Sequence, residues 1–101
     1  MPFGGYPVIE VKVSEHGIQM QGHAGKGING QDIVCAAVSA LTCNLINSIR
    51  NLTDNKIRAE TASGNTIIEW DELSEQGKLL VDSWFLGLTD IDHAYDCIRF
   101  I

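Results

Sequence analysis

Apolar and polar residues alternate from Val8 to Val13, with Ile9, Val11 and Val13 on one side and Glu10 and Lys12 on the other. A period of two predicts a strand with one buried face. Ser14-Glu15-His16-Gly17 interrupts it, and Gly17 is expected to supply the positive φ of a hairpin turn. Residues 18–23 then read as a returning strand, with Ile18 and Met20 on its apolar side and Gln19, Gln21 and His23 opposite. From Ile33 the period lengthens: Val34, Val38, Leu41, Leu45 and Leu52 recur at the spacing of a buried helical stripe. Cys35, Ser39 and Cys43 lie four apart on an adjacent face. Asp32 is expected to cap this helix, and the turn formers Asn51-Leu52-Thr53-Asp54-Asn55 to end it. Residues 56–60 and 66–70 predict a second hairpin around Ser63-Gly64-Asn65. A second helix starts at Ser74, with Leu80, Trp84 and Leu88 as its stripe, Leu73 just ahead, and Val81 and Phe85 widening it. Residues 95–101 close the chain as a short strand.

The order is strand, strand, helix, strand, strand, helix, strand. It predicts an α/β (α+β) fold: a single small domain over residues 1–101, its sheet mostly antiparallel or mixed, with two helices on one face. Composition agrees, since 45% of the 101 residues are hydrophobic and 20% charged. A net charge of −6 argues against a phosphate backbone as partner, so no direct nucleic-acid binding is expected. Residues 1–7 lack the basic start and apolar run of a signal peptide, and no apolar stretch is expected to approach a membrane span. The three cysteines are odd in number and show no Cys-x-x-Cys pairing, which fits reduced thiols in a cytoplasm.

Chemistry concentrates between Gly22 and Ser39. A histidine, His23, ends the second strand; a glycine-rich loop follows (Ala24-Gly25-Lys26-Gly27-Ile28-Asn29-Gly30-Gln31); and Cys35 sits in the first helical turn. A thiol is a nucleophile only as the thiolate, which unpaired N–H groups at a helix start favour and a nearby histidine can generate. The same N–H groups can hold a developing oxyanion. The competing reading of Cys35 is a small buried residue of an apolar helix, and that of His23 an idle polar residue on the open sheet face. Helix start, loop and histidine together favour the functional reading. Asp32 is assigned to the cap or to orienting the histidine, and Ser39 to supporting the pair or to bonding back to its own helix. His16 is expected in an exposed turn, His93 just after the second helix, and Cys43 and Cys97 as buried spectators. Gly25-Lys26-Gly27-Ile28-Asn29-Gly30 is a literal G-x-G-x-x-G, but it follows an antiparallel hairpin rather than opening a βαβ unit. The glycines suit a peptide-binding lid better. No cofactor is expected, and no metal, because His23 and Cys35 alone do not make a ligand set.

Gly22-His23-Ala24-Gly25, followed by Gly30-Gln31-Asp32-Ile33-Val34-Cys35-Ala36-Ala37-Val38-Ser39-Ala40-Leu41, resembles the signature of the ribosomal-processing cysteine proteases, the Prp family. The resemblance implies a small cytoplasmic bacterial homodimer. Its activity would be removal of the N-terminal extension of a large-subunit ribosomal protein by cutting after a Phe-Phe pair. Cys35 would be the nucleophile and His23 the general base, with Gly22 giving backbone room and Asp32 and Ser39 in support. The loop from Ala24 to Gln31 would contact the substrate, and Lys26 stands where the family pattern has an aromatic residue. Two alternatives remain: a phage protein as the substrate, or a domain that binds such polypeptides without cutting them. An acidic protein suits a basic ribosomal partner. Exposed members of the second stripe, such as Trp84, are expected at the dimer surface.

Overall fold

The computed structural model describes residues 8–22, 33–62 and 64–101. Its elements run β1 (Ile9–Ser14), β2 (Gly17–Gln21), α1 (Ile33–Leu52), β3 (Ile57–Ala62), β4 (Asn65–Trp70), α2 (Glu75–Tyr95) and β5 (Ile98–Phe100). The five strands form one sheet in the order β3-β4-β2-β1-β5. All neighbours are antiparallel except β5, which runs parallel to β1. The sheet is therefore mixed.

Strand alternation decides which face is covered. Ile9, Val11, Ile18, Met20, Ile68, Trp70 and Ile98 are buried, whereas Lys12, Gln19, Gln21 and Glu69 face solvent. Val34, Val38, Leu45, Ile46 and Ile49 of α1 and Val81, Trp84 and Leu88 of α2 complete the same core, and the two helices pack on each other. Each such side chain contributes about 1.5–3 kcal/mol of burial. Ser74 caps α2: its Oγ accepts the Gly77 N–H at 3.2 Å and the Asn55 Nδ2–H at 2.8 Å, while Asn55 Oδ1 accepts the Ser74 N–H at 2.8 Å. That exchange ties the start of α2 to the turn after α1.

Several expectations are corrected. Gly17 does not take a positive φ; the turn is the pair Glu15-His16, with Ser14 opposite Gly17. A Cβ at Gly17 would stand 2.6 Å from the Ile68 carbonyl oxygen, so the glycine allows close strand approach rather than the turn. Leu52 is 72% exposed although Ile49, one turn earlier, is fully buried, and Thr42 occupies the buried stripe instead. Cys43 is exposed rather than buried. The helix α2 extends to Tyr95, so His93 lies in its last turn and β5 begins only at Ile98. Contrary to expectation, α1 is long and apolar enough to cross a membrane by length and composition. Val34, Val38, Leu45, Ile46 and Ile49 nevertheless face the core, while Asn44, Asn47, Arg50 and Asn51 lie outside.

Trp84 is the sharpest correction: it is 3% exposed and forms no part of an outer surface. Its indole N–H donates to Thr42 Oγ1 at 3.1 Å, and the Thr42 hydroxyl in turn donates to Met20 Sδ at 3.9 Å. Two polar groups are thus satisfied where the helices meet the sheet. Trp84→Phe is expected to leave the threonine short of a partner and lower stability by about 1–2 kcal/mol. A fall in the urea midpoint at unchanged slope measures this; an unchanged midpoint contradicts it.

Candidate active site

The hairpin β1–β2 ends at Gly22, whose φ of +106° is open to glycine but not to ordinary side chains. Its N–H donates to the Gly64 carbonyl at 2.9 Å, joining the end of β2 to the turn between β3 and β4. A Cβ there would lie 2.4 Å from the Val8 carbonyl oxygen. Residue 22 is therefore held to glycine by the close approach of β1 and β2.

Cys35 is the third residue of α1, half-buried against the core. It stands among the N–H groups of the first turn, which lack carbonyl partners within the helix. No acidic side chain lies within that turn. The helix end therefore presents partial positive charge beside Cys35. Ser39 lies one turn further along and is exposed. His23, Asp32 and the loop of Ala24, Gly25, Lys26, Gly27, Ile28, Asn29, Gly30 and Gln31 lie outside the described residues. Gly22 and Cys35 flank that segment.

A third group at this end was not singled out in the sequence as functional. Cys97 immediately precedes β5 and is 6% exposed. Burial, followed by the charges of Asp92, Asp96 and Cys35, raises its thiol above the ordinary value of 9.0. The folded protein therefore holds this proton more tightly than the unfolded chain does. The resulting stability is complete below about pH 9 and is lost as the pH climbs through the folded-state value. Thermal midpoints should fall as the pH rises above about 9, and Cys97→Ala should flatten that slope; equal slopes would contradict the assignment.

Among the described residues, no group of three or more His, Cys, Asp or Glu side chains is placed to hold a metal. A hollow of about 470 Å³ opens at the other end of the sheet, where Val13, His16, Trp70, Leu73, Val81 and Asp82 line it. The length of β2 separates it from Gly22, so it is not a cleft over Cys35.

The sequence profile described as cysteine protease Prp matches residues 8–98, a span that takes in Gly22, Cys35 and every element up to the first residue of β5. The chain belongs to this family of cysteine proteases. It is 28% identical over 95 residues to the ribosomal processing cysteine protease Prp of Staphylococcus aureus, covering 87% of this chain and 90% of that protein. A crystal structure of the S. aureus Prp with a covalently linked product peptide superposes with a TM-score of 0.79 at 26% identity, covering 93% of this chain and 96% of that one. A second, with a substrate peptide, gives a TM-score of 0.77 at 25% identity over 94% and 97% of the two chains. Fold and enzyme class thus agree with what the Gly22–Leu41 signature implied.

Proposed function

We propose that this chain is a processing endopeptidase that removes the N-terminal extension of a large-subunit ribosomal protein, cutting after a Phe-Phe pair. Cys35 is the nucleophile and His23 the general base. The observation that carries this reading is the family match across residues 8–98, with Cys35 half-buried in the first turn of α1. The S. aureus relative is named for ribosomal processing and has been crystallised with peptides, which supports a peptide substrate.

The chemistry follows from the assigned groups. His23 takes the proton of Cys35, and Sγ attacks the scissile carbonyl while N–H groups of the first turn stabilise the oxyanion. The proton passes from His23 to the departing amine, leaving a thioester on Cys35. Water, deprotonated by His23, then releases the new C-terminus. Asp32 and Ser39 support the pair, and residues 24–31 close over the peptide. The site of action is the cytoplasm, where thiols stay reduced. The decisive experiment incubates the reduced protein with a ribosomal N-terminal peptide containing Phe-Phe and reads the products by mass. Cleavage after the second Phe is expected. Tight binding without product would instead favour a polypeptide-binding factor, and cleavage only of phage polypeptides would reassign the substrate.

A homodimer is part of the same reading, with a surface other than Trp84. Val13, Phe85, Phe100 and Ile101 are exposed apolar side chains near the edge strand β5, and the rings of Phe85 and Phe100 lie 4.8 Å apart. An edge strand that is unpaired among the described residues, beside an apolar patch, supports pairing with a second copy. Light scattering should give twice the chain mass, and Phe85→Glu should shift it to the monomer; a monomeric wild type refutes the pairing.

A further inference from the structure

The hollow of about 470 Å³ at the far end of the sheet has no part in the chemistry assigned to Cys35. Val13 shares the strand face of Ile9 and Val11, yet it is 40% exposed where they are 3% and 1%, and the space it faces is this hollow. Trp70, Leu73 and Val81 continue the apolar wall. Its frame is fixed before anything enters. The Trp70 indole N–H donates to the Glu15 carbonyl at 2.8 Å and the Trp70 backbone N–H to the His16 carbonyl at 3.0 Å, so the β1–β2 turn is bonded to the end of β4 at two points.

Negative charge collects on its rim. Glu15, Asp71, Glu72 and Asp82 are answered there by a single lysine, Lys78. Arg58 approaches Asp71 at 3.6 Å, and His16 lies 3.9 Å from Glu15, but Lys78 is drawn to Glu75 at 3.8 Å, outside the hollow. Glu72 and Asp82 make no ion pair or hydrogen bond with another described residue. An apolar wall below unpaired carboxylates is complementary to a lysine or arginine side chain, whose methylene stem packs on apolar surface while its charged head stays at the rim. A neutral apolar side chain would leave the carboxylates unanswered, and an anion would be repelled. The helices set the distance to the proposed nucleophile. Thr42 meets Trp84, and Asn55, just beyond α1, meets Ser74 at the start of α2, so the two helices run antiparallel. Cys35 lies seven residues from Thr42 in one direction, and Asp82 two residues from Trp84 in the other. Along the helix axes the separation is roughly 13 Å, which about four residues of extended chain can span.

We propose that this hollow docks a lysine or arginine side chain of the polypeptide substrate, about four or more residues from the bond that is cut. This rests on the reading of the chain as a processing endopeptidase and adds to it a requirement for a basic segment. The net charge of −6 draws a basic polypeptide in at long range, and the hollow fixes where it settles. Docking so far from the reacting atoms strengthens binding of substrate and transition state alike, so it acts on KM and leaves kcat unchanged.

The test measures, by fluorescence anisotropy, the affinity of a labelled peptide that bears lysine and arginine but no Phe-Phe, so it reads docking and not cleavage. Glu72→Gln combined with Asp82→Asn should weaken binding about 5- to 10-fold, as expected for the loss of two exposed ion pairs. Asp54→Asn combined with Glu60→Gln makes the same change of charge at exposed positions outside the hollow, and should stay within about twofold of wild type. Replacing the peptide's lysine by diaminopropionic acid keeps the charge, removes most of the stem, and should weaken binding to wild type by about 3-fold or more. Equal losses in the two double variants would mean that net charge alone attracts the peptide, which overturns the proposal. Equal affinity for the short-stemmed peptide, or no binding of the basic one, overturns it too. A light-scattering mass that changes in the Glu72→Gln, Asp82→Asn variant while peptide affinity holds would give the hollow to a second copy of the chain instead. With a cleavable substrate carrying the same basic residues, that variant should raise KM at unchanged kcat. Docking in a protein that never cuts peptide sinks the protease reading alone, and cleavage with a KM indifferent to Glu72 and Asp82 sinks this one alone.

Discussion

Cys35→Ala should abolish peptide cleavage while the fold stands almost unchanged. The side chain is only half-buried and loses a single sulfur, so stability should move by no more than about 1 kcal/mol. The effect on rate is of another order. Without the sulfur there is no thioester, and the reaction must proceed by direct attack of water with only the helix N–H groups to assist. Loss of a covalent nucleophile costs roughly 10⁶-fold in kcat where it has been separated from binding. Single-turnover assays should therefore show no product, while peptide affinity, measured by fluorescence anisotropy, stays within about threefold because ground-state contacts are not removed. Full cleavage by Cys35→Ala would end the assignment. Loss of both cleavage and the thermal transition would show that Cys35 matters to the core instead.

Local pattern made most of the architecture legible, and what escaped it is non-local. The period-two stretch at Ile9 and Val11 and the stripe through Val34, Val38 and Leu45 correctly predicted strand and helix, because each needs only its own neighbours in sequence. Trp84 was misplaced because a large amphipathic ring late in a wide stripe reads as surface. The hydroxyl that satisfies its indole N–H belongs to Thr42, on another helix. Thr42 was missed for the complementary reason: a polar residue in a stripe looks like its edge until its partners, Trp84 and Met20, are known. Leu52 fits the helical period yet is exposed at the last residue of α1, and period alone does not report burial there. For the site, the motif singled out Gly22 and Cys35, and the structure places them at the end of β2 and in the first turn of α1. The place of Cys97 at the Gly22 end of the sheet was not legible, since it depends on β5 returning parallel beside β1.

Gly22→Ala should be the most damaging single-atom addition near the site, and it separates architecture from chemistry. At φ +106° an alanine pays roughly 1–3 kcal/mol in backbone strain. The added Cβ would also stand 2.4 Å from the Val8 carbonyl oxygen, a backbone atom that cannot rotate aside as a side chain can. Relief requires the start of β1 and the end of β2 to part, which disturbs the Gly22 N–H bond to Gly64 and the Ile9–Ile98 pairing next door. Together these should lower stability by about 3 kcal/mol or more, a large part of what a domain of this size possesses. The same shift moves the chain at the point where it enters His23. Cleavage measured at a temperature where the variant is fully folded should therefore fall by roughly 10-fold or more if His23 is the proposed general base, because small misplacements of such a group carry large rate penalties. Wild-type stability would show that the hairpin end yields freely. Reduced stability with a normal kcat/KM in the folded protein would instead confine Gly22 to the fold and remove it from the set of residues that position His23.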